Sequence, residues 1–401
     1  MRLGENIGSV YSNGREIQRV FSKGKLVWEK NRIDYNTTAF TVVALADTVV
    51  VEPHYAYKQG SSGSITGTET LADFKYSING GEWVESHKNP ITIKKNDVVS
   101  LTGTDIYFCK ITGLSDVYGN IMSLLYGENF VGQTVWKELP DGYAKTGYFQ
   151  DCDIRKADNL ILPATTLAFE CYSAMFYNCR SLTHAPKLLP APTLTTYCYR
   201  SMFQNCTSLI APSVIAATKM GDYCCERMFQ NCTSLKLTPD LPAKQLADLC
   251  YSYMFLNCSS LTQTPEKLPA TSLKEACYAS MFRGCSALTT PPELPASTLA
   301  YNCYTNMFQN CTSLTTAPKL TSSYLYYACY IDMFKGCTSL NYMKCYARQL
   351  HGSASDYTEC IDGWLDDVSP TGTFVCVRGT GGGKNPLEDY IPSTWTVEYL
   401  N

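Results

Sequence analysis

Twenty cysteines and 29 tyrosines are the side chains of this 401-residue chain whose type and spacing could do chemistry. Thiolates ligate soft metals, act as nucleophiles or pair as disulfides. One cysteine column runs through 171, 198, 224, 250, 277, 303 and 329. A second lies eight residues later, at 179, 206, 232, 258, 285, 311 and 337. No C-x-x-C occurs and no His accompanies the columns, which argues against a metal ladder. A disulfide within one copy would have to cross a chain stop. The reading that fits the columns is free thiols packed as small apolar side chains. The cysteines at 109, 225, 345, 360 and 376 follow no such pattern.

Other constellations are weaker. Gly379-Thr380-Gly381-Gly382-Gly383-Lys384-Asn385 looks phosphate-binding, but Arg378 stands where a P-loop has its first Gly and Asn385 replaces Ser or Thr. That stretch reads as a flexible loop. Asp366-Asp367 has no placeable partner carboxylate for acid–base work. His184 is one of only four histidines and sits at a variable repeat position. No nucleophile elbow, triad order or metal spacing appears. We expect no enzyme, no cofactor and no metal.

The elements that position these residues are repeats. Met-Phe recurs with its Met at 175, 202, 228, 254, 281, 307 and 333, each four residues after the first cysteine. Tyr148-Phe149-Gln150-Asp151-Cys152 is a decayed earlier copy. Around Leu246, Cys250, Tyr251, Met254 and Phe255 the apolar residues cover one half of a helical wheel, which predicts a short helix. Asn or Gly then follows at 178, 205, 231, 257, 284, 310 and 336, a stop that tolerates positive φ. Next comes an unvarying Leu at 182, 209, 235, 261, 288, 314 and 340 in a Thr-rich run, which suits a strand closed by Pro. The expected fold is therefore an α/β repeat solenoid, with a 26–27-residue period and small all-β domains before it.

The phrase Cys-x-x-Leu-Thr-x-x-Pro after a segment ending in Met-Phe resembles the BspA-like leucine-rich-repeat proteins of gut Bacteroides-type bacteria and their phages. In that family the phrase begins Ala-Phe; here Met replaces Ala. Residues Val117 to Gly127 look like the family's lead-in, and Gly372 to Val375 and Ile391 to Val397 like its closing segment. The resemblance covers about 37–401. It implies a leucine-rich-repeat fold and, since members mostly act as adhesins without shared catalytic residues, binding in place of catalysis.

The rest of the chain divides by pattern. Residues 1–32 read as a β-meander, with Asn13-Gly14 and Lys23-Gly24 as hairpin turns. This part resembles N-terminal attachment segments of phage tail proteins. Residues 33–113 alternate as a small β-sandwich, 114–150 form a connector and cap, 151–345 hold seven full repeats, and 346–401 form a C-terminal cap. Hydrophobic content of 45% and 17% charge exclude a disordered chain. A net charge of −3 argues against nucleic acid as partner. No apolar run reaches membrane-spanning length, and the first residues lack the apolar core of a secretory leader.

Comparing the copies with one another separates fixed columns, which packing explains, from free ones, which it does not. The free positions include Phe169, Glu226 and Arg227, and the candidate ligand-binding set is Tyr177, Tyr197, Tyr223, Tyr253, Tyr301, Tyr327, Asp222, Asn302 and Arg200. Aromatic anchors beside adaptable polar groups are what recognition surfaces use. Residues 160–343 carry 21 of the chain's 69 charges, which favours a neutral ligand such as a glycan. The first expectation is a virion structural and receptor-binding protein, a tail fibre or spike made in the host cytoplasm. It would bind a host surface glycan or protein through the repeats and other virion proteins through residues 1–30. A homo-oligomer, for example a trimer, is expected. The alternative is a secreted or cell-surface bacterial adhesin; a depolymerase with carboxylates assembled across repeats is the third reading.

Overall fold

The computed structural model describes residues 34–55, 71–136, 147–350 and 358–400, and the backbone of four strands before them. Those strands are β1 (Val10–Ser12), β2 (Arg15–Ile17), β3 (Arg19–Ser22) and β4 (Lys25–Glu29). They pair antiparallel as β1–β2 and β3–β4, two separate hairpins; the expected turn residues between them lie outside the described residues.

Alternating apolar residues build two facing sheets. The strands are β5 (Phe40–Ala44), β6 (Thr48–His54), β7 (Phe74–Ile78), β8 (Val84–Glu85), β9 (Ile91–Lys94), β10 (Val98–Gly103), β11 (Phe108–Thr112), β12 (Ser115–Asn120) and β13 (Ile154–Ile161). One sheet has the order β13-β12-β5-β10-β7-β8 and the other β11-β6-β9. Phe40, Val42, Val49, Val51, Ile91, Ile93, Val99 and Leu101 are buried between them, as period-2 patterning requires. A short helix, α1 (Ser123–Tyr126), follows β12. The parallel pair β12–β13 carries the sheet from the sandwich into the first repeat. Arg155 clamps that junction by donating from Nε and Nη2 to the two carboxylate oxygens of Asp116, at 3.0 and 2.6 Å.

The repeats overturn the expected α/β solenoid. Between 160 and 343 there is no α-helix; the other α-helix among the described residues, α2 (Thr358–Ile361), is one turn long. The Cys–Met–Phe run is a string of turns with a period of four. In every copy three residues spaced by four have left-handed φ, as at Leu249 (53°), Tyr253 (57°) and Asn257 (60°). Their N–H groups donate to the next copy, at the carbonyls of Glu275, Ala279 and Arg283, as do those of Tyr251 and Phe255 to Cys277 and Met281. The intervening Ser252, Met254, Leu256 and Cys258 donate three residues back, to Leu249, Tyr251, Tyr253 and Phe255. Half of the backbone donors thus leave the copy, which an α-helix would not allow. The apolar spacing i, i+4, i+8 fits a four-residue period without drift. A helix would have turned the second cysteine about 80° away from the first, at 3.6 residues per turn.

Strands are correspondingly sparse and small. β14 (Leu188–Leu189) pairs parallel with β15 (Val214–Ile215), and β16 (Tyr324–Leu325) with β18 (Gln349–Leu350). The expected Thr-rich strands are single parallel bridges, such as those of His184 to Lys156 and Ala211. At the C-terminal end β17 (Tyr342–Cys345), β19 (Thr373–Cys376) and β20 (Thr396–Tyr399) form a parallel sheet. No helix among the described residues is long and apolar enough to cross a membrane.

Period-four turns make a sign-reversing prediction. Ala174 is partly exposed, has φ 52°, and donates its N–H to Arg200 O at 2.8 Å. In a helix Ala174→Gly would cost about 1 kcal/mol. In the left-handed region it relieves about 1–2 kcal/mol of steric cost against about 0.4–1 of added unfolded-state entropy. The variant is therefore expected to melt at or above the parent temperature. A clear drop in melting temperature would count against the turn assignment.

Candidate binding site

Columns of buried Phe, Tyr, Cys, Met and Leu form the interior on which any site is built. Phenylalanine rings stack from Phe149 through 176, 203, 229, 255, 282 and 308 to Phe334, with centroids 5.4–5.6 Å apart. Phe40 of β5 stacks on Phe149 at 5.4 Å, so the column starts in the sandwich. A tyrosine column runs beside it, with Tyr251, Tyr278, Tyr304 and Tyr330 at 5.8–5.9 Å spacing. Cys225 occupies the place of a tyrosine in the third copy, which accounts for one cysteine outside the two columns. Met220, where neighbouring copies have Leu, reaches the Tyr251 hydroxyl, which donates to its sulfur at 3.6 Å.

All 20 cysteines are buried, and none is joined in a disulfide. The second-column thiols do identical work: each donates to the Phe carbonyl of the preceding copy. Cys179 reaches Phe149 O at 2.9 Å, Cys258 reaches Phe229 O at 3.1 Å, and Cys337 reaches Phe308 O at 3.0 Å. Among the described residues no three His, Cys, Asp or Glu come together as metal ligands. Burial pushes the thiols up, Cys258 to about 12, so they are poor nucleophiles. The Asn stop is also a ladder. Asn257 Nδ2 donates to Asn231 Oδ1 at 3.0 Å and Asn231 Nδ2 to Asn205 Oδ1 at 2.8 Å. Gly284 ends it, because glycine has no side-chain amide to continue the ladder, and Asn257 Oδ1 lies in the space beside it.

The weaker constellations are structural. Asn385 is buried and donates to Ala347 O and Val377 O, and Lys384 pairs with Asp389, so the end of the Gly-rich loop is anchored to the backbone after β17 and β19. Gly363 and Asp367, both with left-handed φ and four apart, continue the turn pattern; Asp366 pairs with Lys335 at 3.4 Å. His184 lies in the bridge column with its Nδ1 2.8 Å from Thr183 Oγ1.

The nine candidate residues fall into separate places. Tyr197 and Tyr223 are adjacent in one left-handed column and stack at 4.8 Å; Phe169 meets Tyr197 edge-on at 5.6 Å. The Arg200 guanidinium lies 5.3 Å over the Tyr197 ring and its Nε donates to Glu226 Oε2 at 2.7 Å. Arg227 reaches Glu226 Oε1 at 3.3 Å and lies 5.2 Å over Tyr253. Thus Tyr197, Tyr223, Arg200 and Tyr253 are drawn into one cluster by Glu226 and Arg227, which a Tyr-led comparison passes over. A Glu at the position of Ser252 reads as solvated in sequence, yet it is 4% exposed here. The Tyr223 hydroxyl is raised by desolvation and then by Tyr197, Glu226, Glu275 and Asp222. Tyr301 and Tyr327 form a second pair, stacked at 5.4 Å, three copies further on. Asp222 accepts the Asp248 N–H at 3.2 Å, Asn302 accepts the Thr305 hydroxyl at 3.1 Å, and Tyr177 is half-buried apart from both pairs. Since the rings stack on one another along the array, they present edges and hydroxyls outward more than faces.

No protein-family model matches this chain, and no curated protein matches it either. Among solved structures, the crystal structure of a leucine-rich repeat protein from Bacteroides ovatus ATCC 8483 is similar to it. The match covers 75% of this chain and 97% of that one, at 13% identity and a TM-score of 0.19.

Proposed function

We propose that this chain is a non-enzymatic structural and receptor-binding protein of a virion, a tail fibre or spike subunit, which recognises a host-surface glycan or protein through the outer face of its repeats. The cluster of Tyr197, Tyr223 and Tyr253 with Arg200, Glu226 and Arg227 carries the reading. It places ring edges, hydroxyls and guanidinium groups on one surface at columns that stacking does not specify. The N-terminal hairpins are the candidate attachment element toward other virion proteins or a second copy. Twenty buried cysteines outside any disulfide fit folding in a reducing compartment, which favours a virion protein over the exported adhesin of the alternative reading.

The test is a scan of Tyr197→Ala, Tyr223→Ala and Tyr301→Ala, with host-cell adsorption and melting temperature both measured. A hot-spot tyrosine truncation costs about 1–2 kcal/mol of binding, roughly tenfold in affinity. Adsorption is expected to fall about tenfold for at least one of the first two, with melting little changed. Full adsorption by all three variants would remove the repeat face as the receptor site.

A further inference from the structure

Resting on the reading just given, we infer that the Arg200–Glu226–Arg227 cluster is a binding site for the carboxylate or sulfate group of an acidic sugar. The column holding Arg200 and Glu226 is filled elsewhere by Ala279, by Ile331, and by Ser173, Ser252 and Thr305, whose hydroxyls donate to the next copy at Arg200 O, Ala279 O and Ala328 O. Stacking is therefore satisfied by a small hydroxyl, and the ion cluster is surplus to it. Nor does a buried ion pair add stability over such a neutral alternative, because desolvation offsets its attraction.

The cluster is one carboxylate short. Glu226 is buried; it accepts a hydrogen bond from Nε of Arg200 at 2.7 Å and forms an ion pair with Nη1 of Arg227 at 3.3 Å. Each guanidinium has five N–H donors, and the remaining ones have no hydrogen-bond partner among the described residues. Both arginine side chains are 37% exposed, so those donors face solvent; the two guanidiniums share one contacting carboxylate, with Asp222 and Glu275 within electrostatic reach of neighbouring Tyr223. They are also held in place from below by the carboxylate and from the side by the Tyr197 and Tyr253 rings. Preorganised guanidinium forks are the side-chain geometry that matches a carboxylate or sulfate.

The neighbours narrow the class. The Tyr197–Tyr223 pair offers hydroxyls and ring edges next to the forks, which suits a polyhydroxylated ring. Exposed Asp222, one residue before Tyr223, repels a densely anionic chain such as a poly-acidic peptide. One anionic group set among neutral hydroxyls meets both conditions. The low charge of the repeats as a whole had favoured a neutral ligand, and this local charge selects an acidic one.

The experiment uses the full chain on an array of uronic, sialic, sulfated and neutral oligosaccharides, with a poly-glutamate peptide as comparison, at two salt concentrations. Parent protein should bind acidic members at least tenfold above their neutral counterparts, and less at high salt. The variant R200Q/E226Q/R227Q removes the charges without stranding a buried carboxylate and should lose that preference while keeping its melting temperature. Should the variant not fold, the parent's acidic-to-neutral ratio and salt response decide alone. Binding to neutral sugars only, acidic binding unchanged in a folded variant, or equal binding to poly-glutamate overturns the inference. No sugar binding by a chain that still adsorbs to cells overturns it too and leaves a protein receptor; loss of adsorption as well would take the proposed function with it.

Discussion

Raising the pH from 9 to about 11 is expected to unfold the repeats in a steep transition. Burial raises the thiols above the ordinary 9.0, to about 12 for Cys152, Cys258, Cys277, Cys337 and Cys345. Below pH 9 these groups are protonated in both states and stability is unaffected. Above it the unfolded chain releases protons that the folded chain keeps, so stability falls until the folded pKa is passed. At pH 10 each thiol costs about 1.4 kcal/mol, and these five together about 7, comparable with the whole stability of a typical domain. The other buried thiols and the buried column tyrosines shift in the same direction. Circular dichroism against pH with a reductant present measures it. The same chain, denatured and alkylated without reductant, should label close to all 20 cysteines, and far fewer when native. Repeats still folded at pH 11 after equilibration, or most thiols refusing label when denatured, would refute the buried-thiol account.

Phe255→Ala should be among the most damaging single changes available. Phe255 is fully buried between Phe229 at 5.5 Å and Phe282 at 5.6 Å, and its carbonyl accepts both the Cys258 N–H and the Cys285 thiol. Truncating a buried phenylalanine costs about 3–5 kcal/mol. Because each copy bonds chiefly to its neighbours, the loss interrupts the column in its middle, and hydrogen exchange should rise in copies on both sides. Tyr251→Ala, buried and stacked on Tyr278, belongs to the same class, whereas half-exposed Tyr253→Ala should cost well under half as much. A Phe255→Ala protein melting within a degree or two of the parent would mean that the column does not hold the repeats together.

Much of this organisation was readable in the residues. The repeat phase, the fixed columns, the sandwich alternation and the left-handed stop at Asn178, Asn205, Asn231, Asn257 and Asn310 all appear in the structure. The secondary structure between them was misread. Apolar residues at i and i+4 satisfy both a helix and a four-residue turn, and only Asn and Gly advertise positive φ. Glu170, Tyr197, Tyr223 and Arg227 do not, though they adopt it as fully. Their conformation is held by donors that reach the next copy, a partner that a window of one copy does not contain.

The same division runs through the candidate site. Sequence alone determined which columns vary between copies and that tyrosine and arginine gather there, because internal repeats provide their own comparison. Only the tertiary structure decided that Arg200 and Glu226 meet, that Glu226 is buried beneath two guanidiniums, and that the Tyr197 and Tyr223 faces turn to each other. The Arg200–Glu226 and Tyr197–Tyr223 contacts lie between residues 26 positions apart. They depend on the register in which one copy's backbone bonds to the next, and that register is chosen collectively by the Phe, Tyr, Cys and Asn columns and by no residue of the site.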